Sequence, residues 1–489
     1  MAVLQIDDER FTHLIDGLLS KLRDIVGPDG VLYSQEDLHV YECDGQTLFK
    51  HVPDAIVFPT TTEQVSALVK LCAAEKVPYV ARGSGTSLSG GSVAARGGLI
   101  ICFSRMNKII DVDLKNQTVV VEPGVITNWV TDAVTAHGYY FPPDPSSQPT
   151  STIGGNIGHN SGGAHCLKYG VISNYVQGLE VVLPNGEIIE TGGKFQDAPG
   201  YDLTGLFIGS EGTLGIVTKA TLRIIRKPQS AKTVMATFDK VSDASNAVSQ
   251  IIASGIIPGA IEFMDKLAIQ AVESSIHAAG FPRDTETLLL IEPDGQKESV
   301  EVLAEQVVKF CQANNAKEVK FAQAEPERKR WWTGRKGAFG AMGRLSPNYI
   351  VLDGTIPRSQ LPKMLTLIAE ISRKYSIGIA NVFHAGDGNL HPLVLYDARK
   401  AGEDERAMQA AMEILKAGAE MGGTITGEHG VGLEKRKAMH YIFTPLELSL
   451  LRNVKHTFDP NELCNPDKIF PPDETPTHTQ NGGGLKVVA

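Results

Sequence analysis

Three loops of glycine and small polar residues constrain this chain more than any other feature. The first is Arg82-Gly83-Ser84-Gly85-Thr86-Ser87-Leu88-Ser89-Gly90-Gly91, and it leaves a strand-like run at 77–81. The second opens at Pro142-Pro143-Asp144-Pro145-Ser146-Ser147. It continues through Thr152-Ile153-Gly154-Gly155-Asn156 to Asn160-Ser161-Gly162-Gly163. The third is Gly209-Ser210-Glu211-Gly212-Thr213-Leu214-Gly215-Ile216. Glycine permits tight turns and lets backbone N–H groups come close to an anion, and the serines and threonines add donors. One such loop is an ordinary turn, but three in one α/β segment point to a large ligand carrying a pyrophosphate. The first loop is not a Rossmann fingerprint, because Leu88 stands where the third glycine belongs. Nor is it a Walker loop, since no Lys-Ser/Thr follows the glycines.

The chain has 489 residues, too many for one hydrophobic core, so two or three domains are expected. Residues 1–50 read as a helical lead-in, with Phe11, Leu14, Leu18, Leu19 and Leu22 at helical spacing. Residues 51–230 read as a mixed unit holding the glycine loops. Its strands are expected at 55–58, 77–81, 99–103 and 118–122, with a hairpin at 179–191 turned by Pro184-Asn185-Gly186. Thr61 and Gln64 form a capping box for a helix striped by Val65, Leu68, Val69 and Cys72. In 231–420 the glycine loops thin out, and strands at 233–238 and 287–291 alternate with helices near 244–254 and 300–314, an α+β pattern. A helix over 403–420 ends at Gly422-Gly423. Motifs return in 421–471, and 472–489, rich in Pro, Thr and Gly, reads as a disordered tail.

Charge and cysteine usage narrow the partners. A net charge of −10 argues against nucleic acid, whose phosphates need a basic surface. The six cysteines form no Cys-x-x-Cys pair and sit in apolar segments, as free thiols in a reducing compartment do. The acidic first ten residues do not resemble a secretory signal, and no apolar run approaches a membrane span, so direct membrane insertion is not expected.

In the second half, Phe383-His384-Ala385-Gly386-Asp387-Gly388-Asn389-Leu390-His391 carries an Asp-Gly hairpin signal. With Asp387-Gly388 as the turn, His384 faces His391, at a spacing that suits two imidazoles on one metal. Gly427-Glu428-His429-Gly430 sets a carboxylate beside an imidazole. His384, His391 and Glu428 would make a His₂-carboxylate site with an open position. The spacing does not say that the two segments meet.

In this order and at these distances the loops resemble the FAD-binding domain of the vanillyl-alcohol oxidase/p-cresol methylhydroxylase superfamily. The likeness runs from about Tyr41 to Pro471. Within the superfamily it is strongest to the FAD subunits of bacterial glycolate oxidases, with FAD-linked D-lactate dehydrogenases close behind. The resemblance implies an α+β fold: a PCMH-type FAD-binding domain, an α+β substrate (cap) domain and a C-terminal segment returning to the flavin. It implies that Arg82–Gly91 cradles the pyrophosphate and that 142–163 runs along the flavin, with Pro143, Asp144, Ser147, Gly154, Gly155, Asn156, Asn160 and Gly162 among the contacts. Glu211, Gly212 and Ile216 fall on the adenosine side. The first loop has Ser84, Thr86 and Ser87 but no His or Cys to tether the flavin, so FAD is expected to be non-covalent. The family's late Asn-Pro-Gly-Lys reads Asn465-Pro466-Asp467-Lys468 here, a Gly→Asp departure in the turn after the cofactor residue Asn465.

The same resemblance implies that His384, His391 and Glu428 hold a divalent metal (zinc, manganese or iron), that His429 is the base and that Arg335 binds the substrate carboxylate. Relatives acting on dicarboxylic acids carry a Lys and an Asn at the positions of Val351 and Leu393, so a small 2-hydroxy monocarboxylate is expected, glycolate first and D-lactate or another D-2-hydroxy acid next. Electrons would pass to protein partners, a second FAD-domain subunit and an iron–sulfur subunit, in a cytoplasmic complex held peripherally at the inner membrane. Two other classes remain at this stage. One is a different oxidase chemistry on the same fold, against which the histidine cluster argues. The other is a non-catalytic FAD-binding subunit, against which the intact acid-binding and metal constellation argues.

Overall fold

The structure is a computed structural model and describes residues 8–195 and 199–472. The tail beyond Pro472, the first seven residues and the side chains of Phe11 and Leu14 lie outside the described residues. The lead-in forms the helix Asp8–Val26, and its Leu19 and Leu22 pack against Val65, Leu68 and Val69.

The first sheet explains where the ligand loops go. Ala55–Val57, Leu99–Cys102 and Tyr79–Arg82 run parallel, with Val31–Leu32 antiparallel at one edge. Parallel strands deliver ligands beyond their carboxyl ends, and Arg82, where the first glycine loop begins, is the last residue of its strand. Thr61 caps the helix Thr62–Glu75 by accepting the Gln64 N–H at 3.3 Å. The return half of the expected box is displaced, because the Gln64 carboxamide oxygen takes the N–H of Thr60 at 2.7 Å. Thr60 also offers its hydroxyl to the same oxygen, so two donors there outbid the one at Thr61.

A second sheet of five antiparallel strands follows, in the order Ile109–Asp113, Thr118–Val121, Ile216–Arg223, Val176–Val182, Ile188–Gly192. Its hairpin turns at Gly186, as expected, with φ of 80°. A third sheet centres on Val234–Phe238, Thr287–Glu292, Ala260–Asp265 and Ile379–His384, all antiparallel. Both faces are covered, so its strands are largely apolar, and polar residues within them such as Glu262 and His384 are buried. Val234, Ala236 and Phe238 face a core shared with the helices Val241–Ala253, Leu361–Tyr375 and Glu403–Glu420. Met235, Met264, Leu288 and Leu290 face a second core built on the helix Lys266–Glu273. Each fully buried large aliphatic contributes about 1.5–3 kcal/mol.

The chain then returns to the first sheet. A parallel bridge joins Tyr79 to Cys464, and the Asn465 N–H bonds the Tyr79 carbonyl at 2.8 Å. Lys468 Nζ donates to the Val93 carbonyl at 2.7 Å. Asp467 stands at φ of 63°, a conformation that asparagine and aspartate tolerate better than most side chains. Its carboxylate takes Arg96 in a two-point pair at 2.7 and 2.9 Å. The Gly→Asp departure therefore keeps the turn and adds a tie to the chain just past the first loop.

The expected register of the 383–391 hairpin is overturned. His384 pairs with Asn389, and Asn381 with Pro392, so the loop has four residues and His391 falls opposite Val382. The N–H groups of Ala385 and Gly386 both turn to the Ile261 carbonyl of the neighbouring strand. Asp387 caps the Asn389 N–H at 3.0 Å instead of opening a two-residue turn. His384 and His391 become diagonal neighbours on one face, still within side-chain reach.

Candidate active site

A cavity of about 380 Å³ opens where the three glycine loops meet. Arg82, Gly83, Ser84, Gly85, Thr86, Ser87 and Gly91 line it from the first loop. Ser147, Gly154, Gly155 and Asn156 line it from the second, and Glu211, Gly212 and Ile216 from the third. Gly90, Pro143, Asp144, Asn160, Gly162 and Asn465 lie outside its lining. Several of these outer residues hold the loops in place. Asn465 Nδ2 bonds the carbonyls of Gly91 (3.0 Å) and Glu211 (2.6 Å), tying first loop to third. Glu211 turns its carboxylate to the N–H groups of Val431 (2.6 Å) and Gly432 (2.8 Å). Asn160 closes the helix Ile153–His159 at φ of 51° and accepts the Ser173 N–H at 2.9 Å. Arg82 sits under its own loop, giving one N–H to the Cys43 carbonyl at 2.9 Å. A Cβ on Gly83 would stand 2.1 Å from Thr152 Oγ1, so the first two loops touch only because glycine is there. This cradle of close-packed glycine backbone at the ends of parallel strands fits a dinucleotide.

Glu428 and His429 line the far end of the same cavity, and behind them stand His384 and His391. The Nε2 atoms of His384 and His391 lie 3.3 and 3.2 Å from the same oxygen, Glu428 Oε1. Their rings are perpendicular with centroids 5.2 Å apart. The opposite nitrogens are engaged: His384 Nδ1 meets Glu262 Oε1 at 2.7 Å and His391 Nδ1 meets the Leu352 carbonyl at 3.2 Å. A carbonyl only accepts, so His391 Nδ1 carries the hydrogen and a neutral ring turns the Nε2 lone pair to the Glu428 carboxylate. Lone pair against lone pair is repulsive without a cation between them. His391 Nε2 is buried with no hydrogen-bond partner. These residues therefore fit a divalent cation, with the outward nitrogens held as metal-site histidines usually are. Glu262 and Glu428 also outweigh the burial that opposes a charge on His384 and hold its pKa well above the ordinary value, so the pocket attracts positive charge, and a metal would take the place of the proton on Nε2.

By proximity alone another set stands out. Asp353, His391, Glu428 and His429 bring ligand atoms within 4.8 Å of one another. Asp353 is already occupied. It accepts the N–H groups of Gly427 (3.0 Å), Glu428 (3.2 Å) and His429 (2.9 Å), the Thr426 hydroxyl (2.5 Å) and Lys435 Nζ (3.3 Å). It is the fixture that holds the Glu428–His429 turn, and His384 is the better third donor. His429 stacks on His391, centroids 4.9 Å apart, and burial pushes its pKa down to about 4, so the ring is neutral at pH 7. Its Nδ1 has no hydrogen-bond partner.

Arg335, on the helix Glu325–Lys336, is 2% exposed and forms an ion pair with Glu262, which thus stands between Arg335 and His384. Nη2 is the atom that meets Glu262, and Nε lacks a hydrogen-bond partner. Val351 lines the cavity, and Leu393 is its cross-strand partner. Glu262, Asp353 and Lys435 were not singled out from the sequence. A lone acid inside the apolar run Ala260–Met264 is a signal that could have found Glu262, whereas Lys435 sits in a run of charges and gives none.

Comparison with known proteins agrees with this architecture. The FAD binding domain family matches residues 53–192, and the family of FAD linked oxidases, C-terminal domain, matches 227–469. The chain is 44% identical over 454 residues to glycolate oxidase subunit GlcD of Escherichia coli (strain K12), covering 93% of this chain and 91% of that protein. It is 32% identical to a D-lactate dehydrogenase of Anaerostipes hadrus, covering 95% and 99%. The solved structure of p-cresol methylhydroxylase with substrate bound superposes with a TM-score of 0.79 at 20% identity, over 96% of this chain and 98% of that one, which shows a shared fold.

Proposed function

This chain belongs to the FAD-linked oxidase family, and from that membership we propose that it oxidises a small 2-hydroxy monocarboxylate, glycolate first, to the 2-oxo acid. D-lactate or another D-2-hydroxy acid is the alternative. One observation carries the reading: the convergence of His384 and His391 on Glu428, beside a neutral His429, at the end of the cavity that the flavin loops line. Bound FAD, held without a covalent link, would accept the hydride from the hydroxyl carbon. His384, His391 and Glu428 would hold zinc, manganese or iron, which lowers the pKa of a hydroxyl placed on it.

The chain's own groups do the rest. His429, neutral and unpartnered at Nδ1, takes the hydroxyl proton. Asp353 keeps His429 in place through its backbone N–H. Arg335, whose Nε is unpartnered while Nη2 pairs with Glu262, holds the substrate carboxylate. Val351 puts apolar surface on the cavity wall with Leu393 buried beside it as its cross-strand partner, and apolar residues at these two positions favour a monocarboxylate. We further propose that the electrons leave to partner subunits, one with a second FAD domain and one with an iron–sulfur centre, in a cytoplasmic complex peripheral to the inner membrane. Among the described residues no helix is long and apolar enough to cross a membrane.

Dye-linked turnover with glycolate, both lactates and D-2-hydroxyglutarate tests the reading. Glycolate should give the highest kcat/KM. A flavin that none of these acids reduces would refute it.

A further inference from the structure

The helix Glu325–Lys336 ends between two charged environments. Arg328, Trp332 and Lys336 recur every four residues and share one face. Glu292 takes a two-point pair from Arg328 at 2.8 and 2.6 Å and the indole N–H of Trp332 at 2.7 Å. The Trp332 ring stacks on His165, centroids 5.8 Å apart. His165 Nδ1 lies 2.9 Å from Asp144 Oδ2, and Lys336 Nζ reaches the same oxygen at 3.4 Å. Arg335, one residue earlier and so about 100° round the helix, points instead to Glu262.

Two cations therefore share the carboxylate of Asp144, and His165 has the stronger hold. It makes the shorter contact and adds its backbone N–H at 3.2 Å. Burial opposes a charge on His165, but Asp144 outweighs it and raises the pKa to about 10, so the ring is cationic at neutral pH. Lys336 has three N–H donors, and Asp144 is its one partner among the described residues. Its side chain is 33% exposed and forms part of the cavity wall. Phe339, Tyr349 and Val351 line the same cavity as Glu428 and His429, and none of the three brings a charge.

We propose that Lys336 is a second carboxylate anchor for the substrate, taking the acid from the cavity wall while Arg335 acts from the metal side of the same helix. The inference rests on the hydroxy-acid reading above. An incoming carboxylate would supply the acceptors that Asp144 cannot. An uncharged alcohol would gain nothing from the ammonium, so Lys336 separates hydroxy acids from alcohols of the same size.

The competing role for Lys336 is a clasp to Asp144 between the two halves of the chain. Holoenzyme carrying Lys336→Met or Asp144→Asn separates the two. Oxalate, an unreactive dianion, is titrated while flavin absorbance is followed, and kcat and KM are measured with glycolate. Lys336→Met should weaken oxalate binding and raise KM at least about tenfold, with a smaller change in kcat. Asp144→Asn should lower the Tm without weakening oxalate, because it frees the ammonium. Equal loss of Tm in both variants, with oxalate affinity and KM unchanged, would overturn the proposal and leave Lys336 a clasp. Should Lys336→Met give no soluble holoprotein, Lys336→Gln is read the same way. If no 2-hydroxy acid reduces the wild-type flavin, the hydroxy-acid reading fails instead, and the oxalate titration still decides the anion site.

Discussion

Glu262 shows what one side chain does at the heart of this site. It is 1% exposed, set among the apolar Ala260, Ile261, Phe263 and Met264 of its strand, and bridges His384 to Arg335. A carboxylate on the far nitrogen of a ligand histidine fixes its tautomer and raises its basicity. Glu262→Gln should lower metal affinity by about 10–100-fold while flavin content stays whole. His384→Ala, His391→Ala and Glu428→Ala should each lose the metal and keep FAD, since the flavin loops come from other segments. Metal analysis and flavin absorbance on the same samples check all four, and unchanged metal in every variant would end the metal reading. His429→Ala should keep both cofactors and lose turnover by about 10²–10⁴-fold, the range for a general base. At this scale the donors were legible because histidines and a Glu-His pair between glycines are rare enough to notice. Their supports were not. Asp353 acts through backbone N–H groups and Lys435 through a carbonyl, and no residue pattern announces such bonds.

Among the elements, the legible ones were those whose periodicity and caps agree. The helix Glu403–Glu420 has the expected bounds, with Gly422 at φ of 83° closing it. The 383–391 hairpin was legible as a hairpin but not in register, because its register is set by the Ile261 carbonyl of a neighbouring strand distant in sequence. Gly388 marks the corner of the observed loop. Its φ is 82°, and a Cβ would stand 2.3 Å from the Ile356 carbonyl oxygen. Gly388→Val should therefore cost about 1–3 kcal/mol in urea unfolding and loosen metal binding with it. The next strand supplies a pH signature. Asp265 caps the helix Lys266–Glu273 and accepts the N–H groups of Asn381, and burial raises its pKa to about 6. A folded pKa above the unfolded one means that its stabilising contribution is full below the ordinary carboxyl pKa. That contribution is lost as pH rises through about 6. In full the effect is worth about 3 kcal/mol. Asp265→Asn removes the titration, so the variant should gain stability relative to wild type between pH 4 and pH 7. A difference that stays flat across unfolding curves at pH 4, 5, 6 and 7 would show that Asp265 does not titrate this way.

At the scale of the whole molecule, the described residues hold one place for a redox cofactor, and that place must be emptied each turnover. The six cysteines are Cys43, Cys72, Cys102, Cys166, Cys311 and Cys464, all free thiols. Their spacing supplies neither an iron–sulfur ligand set nor a haem-attachment Cys-x-x-Cys-His. Electrons that reach the flavin can leave only to oxygen or to another molecule. The relatives give this choice a direction, because the Escherichia coli protein that matches 93% of this chain is named a subunit, not a whole oxidase. A flavin that serves a protein acceptor has no need to react quickly with oxygen, and a fast side reaction would divert electrons from that acceptor. The isolated chain should therefore reduce an artificial dye quickly and oxygen slowly. Stopped-flow measurement makes the comparison on one sample: flavin reduced by substrate is mixed with air-saturated buffer or with the dye, and the two reoxidation rates are read from the same absorbance band. The expected outcome is reoxidation by the dye at or above the turnover rate, with air slower by orders of magnitude. Reoxidation by air at the full turnover rate would make the chain a self-sufficient oxidase, and the partner subunits would then be unnecessary to its chemistry.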